Sequence, residues 1–328
     1  MQCGVSNSFN SSYSLSSVAE VVGFTPPTDS YATNLLAQGP IAYWRLNEPA
    51  GSTVAYDYIN GYDGAYGADT TNGIAGIPNP PFYGVPTNDL GVWMDHSVGT
   101  TAGFVTTPAL NIVVTNCTLT CWVYPNGTQA NSEGVVFSRG TLAAGINFGA
   151  SEYMAYTWGT NTATYSWTSG LSIPTNQWSF LALVITPSNA TAYVFNTNGS
   201  FVNTNNVANP PQLINAGFDI GADTTSLPAR IFNGEMDEVA VFDYALQSSQ
   251  LTQMYGSASL STAPPTAPSI TVQRAGNSAV ITWSAGANLF SAPSVKGPWT
   301  MVTNAVSPYT NTPSSGPEFY KAGTPYTP

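Results

Sequence analysis

The stretch "FNGEMDEVAVFDYALQSSQLTQMYG", Phe232 to Gly256, changes its period halfway along. From Gly234 to Phe242 it alternates as a strand does, and from Ala245 onward its apolar residues recur at helical spacing. Ser248 stands where an N-cap belongs, and Gly256 just past the expected helix end. The strand half gathers Glu235, Asp237 and Glu238, the densest acidic cluster in a chain with only 7% charged residues. On a regular strand Glu235 and Asp237 share a face and Glu238 points to the other. These carboxylates are a catalytic pair, a metal site or structural anchors, and the choice decides whether the chain is an enzyme.

Around this stretch the composition is that of an all-β protein, rich in Gly, Pro, Asn, Ser, Thr and aromatics and short of the residues that build long helices. The 328 residues suggest two or three domains, and a 43% apolar fraction argues against disorder. A net charge of −11 with only six Lys and Arg excludes nucleic acid as a partner, because a phosphate backbone needs clustered basic side chains. No run of about 18 apolar residues is present, so no membrane span is expected. The opening "MQCGVSNSFN" has neither the basic start nor the apolar core of a signal peptide, and we expect the chain to be cut from a longer protein. Cys117 and Cys121 lie on one strand face about 13 Å apart. They are too far apart to bridge and are expected as buried apolar residues. With His96 as the single histidine, a zinc cluster is not expected.

Residues 1–22 read as two short strands, "MQCGVSNS" and "SLSSVAEVV", which cannot bury a core alone. Residues 23–37 read as a Pro-containing linker and a short helix, capped by Asp29 or Ser30 and stopped at Gly39–Pro40. From Ile41 to Leu246 strand-like runs alternate with turn residues, without the intervening helices a parallel sheet demands, which predicts an antiparallel two-sheet sandwich. "STAPPTAPS" marks a second linker over 257–268, and 269–328 carries three or four further strands.

Four motifs then stand in a recognisable order: "PIAYWRLNEPAG" (Pro40–Gly51), "TLTCWVYP" (Thr118–Pro125), "QWSFLALVIT" (Gln177–Thr186) and "FNGEMDEVAVFDYALQSSQL" (Phe232–Leu251). Through them residues 38–256 resemble the laminin-G-like jelly rolls of the concanavalin A-like lectin and glucanase fold. The tail, through "ITW" and "GPWTMVTNAVSPY", resembles the fibronectin type III-like modules of secreted bacterial proteins. The pattern Cys3-x-Val5-x-Asn7 resembles the last hairpin of an immunoglobulin-like domain, with Met1 at its tyrosine position. The resemblance implies an all-β chain, an antiparallel jelly-roll sandwich with small β-sandwich-like flanking pieces, located outside the cell or on its surface. It leaves function open, because the fold hosts lectins, adhesins, hydrolases and spacers.

Glucanases of this fold carry Glu-x-Asp-x-x-Glu on one strand. Val239 and Ala240 stand where the last glutamate belongs, so the retaining pair is incomplete and no enzyme is expected. The resemblance implies instead that Asp237 and Glu238 anchor neighbouring loops. It also implies calcium, held by the "YDYINGYDG" loop (Tyr56–Gly64) and the final strand through Asp57, Asp63, Asp237 and the carbonyl of Asn60; the alternative is that backbone amides cap these carboxylates. "EYMAYTWGTNTATYSWTSG" reads as one hairpin that sets Tyr156 with Trp158, and Tyr165 with Trp167, on shared faces. These pairs are either cross-strand packing or a platform for sugar rings. The leading reading is a non-catalytic module for adhesion or carbohydrate binding, with a glycan or cell-surface protein as partner. The rival is a filament subunit that self-associates by strand addition, its unfinished ends arising from truncation or from strand exchange. A glycoside hydrolase comes last.

Overall fold

A computed structural model describes residues 27–97, 100–259, 270–276, 278–283, 288–293, 300–303, 305–311 and 318–323, with the backbone of 4–7 and 10–15. The chain divides into two units, Met1–Ala263 and Pro264–Pro328.

The first unit is organised around strand Gly234–Phe242. It pairs with Cys117–Pro125 on one side and with Leu90–Met94 and Ala42–Trp44 on the other, inside an eight-stranded antiparallel sheet. Past Cys117–Pro125 this sheet continues through Ser179–Ile185 and Ala190–Asn196 to the edge strand Gly199–Asn205. Every residue of Ser179–Ile185 is buried because both faces are covered. Leu181, Leu183 and Ile185 enter the sandwich, and Phe180, Ala182 and Val184 lie in a second apolar cluster on the outer face. An unbroken apolar run is what such a strand requires.

A seven-stranded sheet closes the sandwich, in the order Met154–Trp158, Ala143–Phe148, Gly134–Arg139, Phe218–Ile220, Val105–Thr106, Gly64–Tyr66, Val54–Ala55. Cys117 and Cys121 are buried and free in the core between the sheets, as their spacing predicted. Three α-helices stand among the described residues of the unit: α1 (Ser30–Ala37), α2 (Thr162–Tyr165) and α3 (Ser248–Ala258). Tyr31 and Leu35 of α1 and Leu251 and Met254 of α3 cover Trp122, Phe180 and Phe242 on the outer face of the eight-stranded sheet. Asp29 caps α1, its Oδ1 accepting from Ala32 N at 2.8 Å. In α3 the cap is Gln247, in a reciprocal pair with Gln250, and not Ser248. The helix also runs through Gly256 to Ala258, because buried Ala258 continues the apolar face four residues after Met254.

The second unit holds two three-stranded sheets around Ile281, Trp283 and Leu289. It has more strands than the sequence suggested, since Thr300–Met301 and Tyr309–Asn311 are too short to show an alternation. Near the start of the chain, Gly4–Asn7 pairs with Asn10–Leu15, so the second strand begins earlier than expected. Cys3, Val18 and Val21 lie outside the described residues.

Candidate functional site

The acids of Gly234–Phe242 do not follow regular alternation. The register against Cys117–Pro125 slips between Thr120, paired with Ala240, and Trp122, paired with Asp237. Glu238 absorbs the extra residue with a φ of +52°, a bulge conformation that costs a non-glycine residue on the order of 1–3 kcal/mol. The bulge brings Glu238 beside Asp237 instead of to the opposite face. One carboxylate oxygen each of Asp89, Asp237 and Glu238 lies within 4.8 Å of the others, all three residues buried. Glu238 Oε1 accepts from Arg45 Nη2 at 2.9 Å and Nε at 3.1 Å, and its Oε2 accepts from the Tyr43 hydroxyl. Arg45 Nη2 also reaches Asp29 Oδ2 at 3.1 Å, so α1, the first core strand and the last are tied through one guanidinium.

Asp237 Oδ2 accepts from Ile77 N at 3.3 Å, while its Oδ1 and both Asp89 oxygens meet no protein N–H. Two buried carboxylates facing one another do not both ionise. Burial, with the Asp89 charge next, pushes Asp237 far above the usual carboxylate range, and burial lifts Asp89 to about 6. The pair therefore carries a proton at neutral pH. Asp237 and Glu238 are fully buried, so no substrate reaches them as they stand.

The four residues expected to hold calcium do not fit it. Asp57 Oδ1 accepts from Tyr43 N (2.8 Å) and Ile59 N (3.1 Å), and its Oδ2 from Asn60 N (2.9 Å) and Tyr62 N (3.0 Å). Asp63 Oδ1 accepts from Asp57 N at 2.8 Å, and the Asn60 amide donates to Ile41 O at 2.8 Å. Both Asp57 oxygens and Asp63 Oδ1 are occupied by backbone amides, and Asp237 belongs to the separate group with Asp89 and Glu238. Calcium needs six to eight oxygens converging on one point, and these residues do not offer them.

The aromatic platform is also corrected. Tyr156 and Trp158 are 0% and 2% exposed and point into the sandwich, the Trp158 Nε1 donating to Pro210 O at 2.8 Å. The expected second strand is α2 instead, capped by Asn161, whose Oδ1 accepts from Ala163 N. Trp167 packs edge-on against Tyr156 with ring centres 5.7 Å apart. Of the four rings only Tyr165 stands well out of the protein, 49% exposed.

Tyr165 lines a cleft of about 350 Å³ on the outer face of the seven-stranded sheet, with Ser132, Arg139, Asn147, Thr157, Asp223 and Arg230. Asn147 and Thr157 alternate with the core residues Ile146, Phe148, Tyr156 and Trp158, so they face outward, and Thr157 Oγ1 donates to Asn147 Oδ1 at 3.2 Å. Asp223 grips both arginines. Its Oδ1 accepts from Arg139 Nε, and its Oδ2 from Arg139 Nη2 and Arg230 Nη1, all at 2.6 Å. Burial would raise the Asp223 carboxyl, but hydrogen bonds from Arg139, Thr225 and Arg230 outweigh it and hold it at about 2. The Arg139 guanidinium also lies 4.9 Å over the Phe137 ring. Arg139 Nη1 and Arg230 Nε and Nη2 remain without a partner among the described residues. No local motif announced this cleft. A tally of charge could have done so, because Arg45, Arg139 and Arg230 are the only Lys or Arg before Pro264, and two of the three meet here.

Residues 99–252 match the family model described as the concanavalin A-like lectin/glucanases superfamily. No curated protein matches the chain in sequence. Among solved structures it is similar to domain 4 of AbnA, a GH43 extracellular arabinanase from Geobacillus stearothermophilus, in complex with arabinotriose. The TM-score is 0.48 and the identity 15%, over 66% of this chain and 98% of that one. It is also similar to Trypanosoma rangeli sialidase in complex with sialic acid, with a TM-score of 0.46 and 13% identity, over 73% of this chain and 35% of that one. A third is an arabinofuranosidase complexed with arabinofuranosyl-alpha-1,2-xylobiose, with a TM-score of 0.45 and 10% identity, over 71% of this chain and 59% of that one. The chain thus spans about a third of the sialidase. These neighbours are glycosidases or a domain of one, and the expectation that the chain is not an enzyme is withdrawn on that finding. At such identities the likeness concerns the fold and assigns no activity.

Proposed function

We propose, from the premise that residues 99–252 form a domain of the concanavalin A-like lectin/glucanase superfamily, that the protein binds carbohydrate in the Arg139–Asp223–Arg230 cleft. The observation that carries the reading is the fork held by Asp223. Two guanidiniums are fixed side by side with free N–H groups, and such donors reach the hydroxyl or carboxylate oxygens of a sugar. Asn147 and Thr157 add an amide and a hydroxyl to the floor, and the exposed Tyr165 ring offers an apolar face for the C–H side of a sugar. By the same reading the protein works at the cell surface or beyond it, where polysaccharide is found.

Isothermal titration against a panel of plant and microbial oligosaccharides tests this. Arg230→Ala and Tyr165→Ala should each weaken binding roughly tenfold, the loss of a good hydrogen bond or stacking face. Wild-type affinity in both variants refutes the cleft as the site. Release of reducing ends from the same panel reads whether turnover accompanies binding.

A further inference from the structure

Arg139 and Arg230 meet Asp223 by different edges. Arg139 gives it Nε and Nη2, the side-on pair of parallel N–H groups that a guanidinium presents to a carboxylate, at 2.6 Å each. Arg230 gives it Nη1 alone, also at 2.6 Å. The side-on pair of Arg230, its Nε and Nη2, meets no acceptor among the described residues, and the side chain is 32% exposed in the cleft it lines. One guanidinium thus shows what fills this edge, a carboxylate, and the other holds the same edge open. Arg230 is also set before any ligand arrives. Its carbonyl accepts from Gly134 N at 3.1 Å and from Asp223 N at 3.0 Å, while Asp223 pins the far end of its side chain.

Asp223 has nothing left to offer a ligand. Its Oδ1 accepts from Arg139 Nε, from Thr225 N at 3.2 Å and from Thr225 Oγ1 at 2.6 Å, and its Oδ2 from both arginines. A carboxylate has about four lone-pair sites, and these donors use them. The charged groups of the cleft therefore present donors alone. A sugar hydroxyl brings a proton as well as lone pairs, and that proton finds no acceptor on them. A carboxylate only accepts, so it matches a donor-only edge and leaves nothing unmet.

Charge points the same way. Arg139, Arg230 and Asp223 are the charged residues lining the cleft, two cations to one anion, whereas sixteen of the chain's 17 acids lie before Pro264. The surplus cation attracts one anionic group at this spot, and the acids around it repel a polyanion.

We infer that the cleft selects a carboxylated sugar, a single acidic residue on an otherwise neutral saccharide, whose carboxylate lies on the Nε and Nη2 edge of Arg230 while its ring rests on Tyr165. This deepens the carbohydrate reading of the cleft and rests on it. The test is isothermal titration of the full chain with oligosaccharides that each carry one glucuronate, galacturonate or sialate, every one paired with its methyl ester. The ester keeps the ring and removes the charge. At least one acid should bind roughly tenfold or more tightly than its ester. Tyr165→Ala should weaken acid and ester alike and keep their ratio. Arg230→Gln should bring the ratio to about one, with Asp223 still held by the two bonds from Arg139. Acids and esters that bind wild type equally well overturn the inference and leave the carbohydrate reading standing, and that comparison needs no variant. A ratio that survives Arg230→Gln overturns the assignment to Arg230. A glutamate-containing peptide bound as tightly as the best sugar overturns the saccharide as the ligand. Failure of the carbohydrate reading looks different: neither these sugars nor their unsubstituted neutral backbones bind, and the inference falls with it.

Discussion

Replacing Asp237 by asparagine should flatten part of the protein's pH dependence. In the native state the buried Asp89–Asp237 pair holds a proton at neutral pH, whereas an unfolded aspartate loses its proton near pH 3.9. A carboxyl whose folded pKa is raised costs nothing below its unfolded value. Its cost then grows as pH rises, until the folded value is passed. With one proton bound in the native state and none in the unfolded, stability falls by about 1.36 kcal/mol per pH unit. Upward from pH 6.5, for as long as the pair keeps its proton, each pH unit removes on the order of 1 kcal/mol, or roughly 2–4 °C in Tm for a domain of this size. Asparagine places an N–H where the shared proton lies and lets Asp89 ionise against it, so the variant loses this slope. Glu133, raised by burial to about 8, titrates in both proteins and cancels in the difference, whereas Glu238, raised by burial to about 8 beside Asp237, does not, so the comparison is made with Glu238→Gln in both proteins. Urea melts of both proteins across that range supply the comparison. The variant should gain on the wild type as pH rises, by on the order of 1 kcal/mol per pH unit. Parallel curves would refute the shared proton. A variant that loses ground as pH rises would show that the ionised pair is met by a bound cation.

Chelation gives a related check: since the Asp57 loop is occupied by its own amides, EDTA should leave the melt unchanged and elemental analysis should find no stoichiometric calcium. A drop of several degrees, as expected on losing a ligand held at a hundredfold excess over Kd (about 2.7 kcal/mol), overturns that geometry. Arg45→Leu leaves Glu238 buried without its counter-charge, and calorimetry should show a loss of about 3–5 kcal/mol, much of it recovered by adding Glu238→Gln. Gly84→Ala forces the loop of residues 78–85 off α3, because the new Cβ meets backbone. Denaturant melts should show a cost on the order of 1–3 kcal/mol, and a variant as stable as wild type would mean the loop is not held against α3.

The sandwich was legible wherever burial writes itself into a period. Ser179–Ile185 reads as a strand covered on both faces because every position is apolar or small, and Gly234–Phe242 reads through its alternation. The bulge was not legible, since glutamate at position 238 gives no sign of a positive φ that glycine or asparagine would advertise. The aromatic alternation after Trp158 misled for a related reason. Thr164 Oγ1 accepts from Trp158 N, and the cap at Asn161 starts a helical turn, so local hydrogen bonding overrode a strand-like pattern. The cleft lay beyond any local reading. Arg139 and Asp223 are 84 positions apart and meet only because Gly134–Arg139 pairs with Phe218–Ile220.

The distribution of the few charges explains why the acids of the final strand do not line an open site. A buried ion pair is often no more stabilising than well-packed apolar residues, so Arg45 needs a further reason to sit under α1 between Asp29 and Glu238. Register supplies one. A one-residue slip of Gly234–Phe242 would move Val239 and Val241 out of the sandwich and bring Ala240 and Phe242 in. Both sets are apolar, so packing alone discriminates weakly between the two registers. Only the observed one, with its bulge at Glu238, sets a carboxylate against the Arg45 guanidinium and the Tyr43 hydroxyl. A slipped strand would leave Arg45 and Glu238 buried apart, a cost of several kcal/mol that exceeds the strain of one residue at positive φ. The ion pair therefore selects the pairing on which the open cleft depends. Through the core between the sheets that pairing supports the outward-facing Asn147 and Thr157.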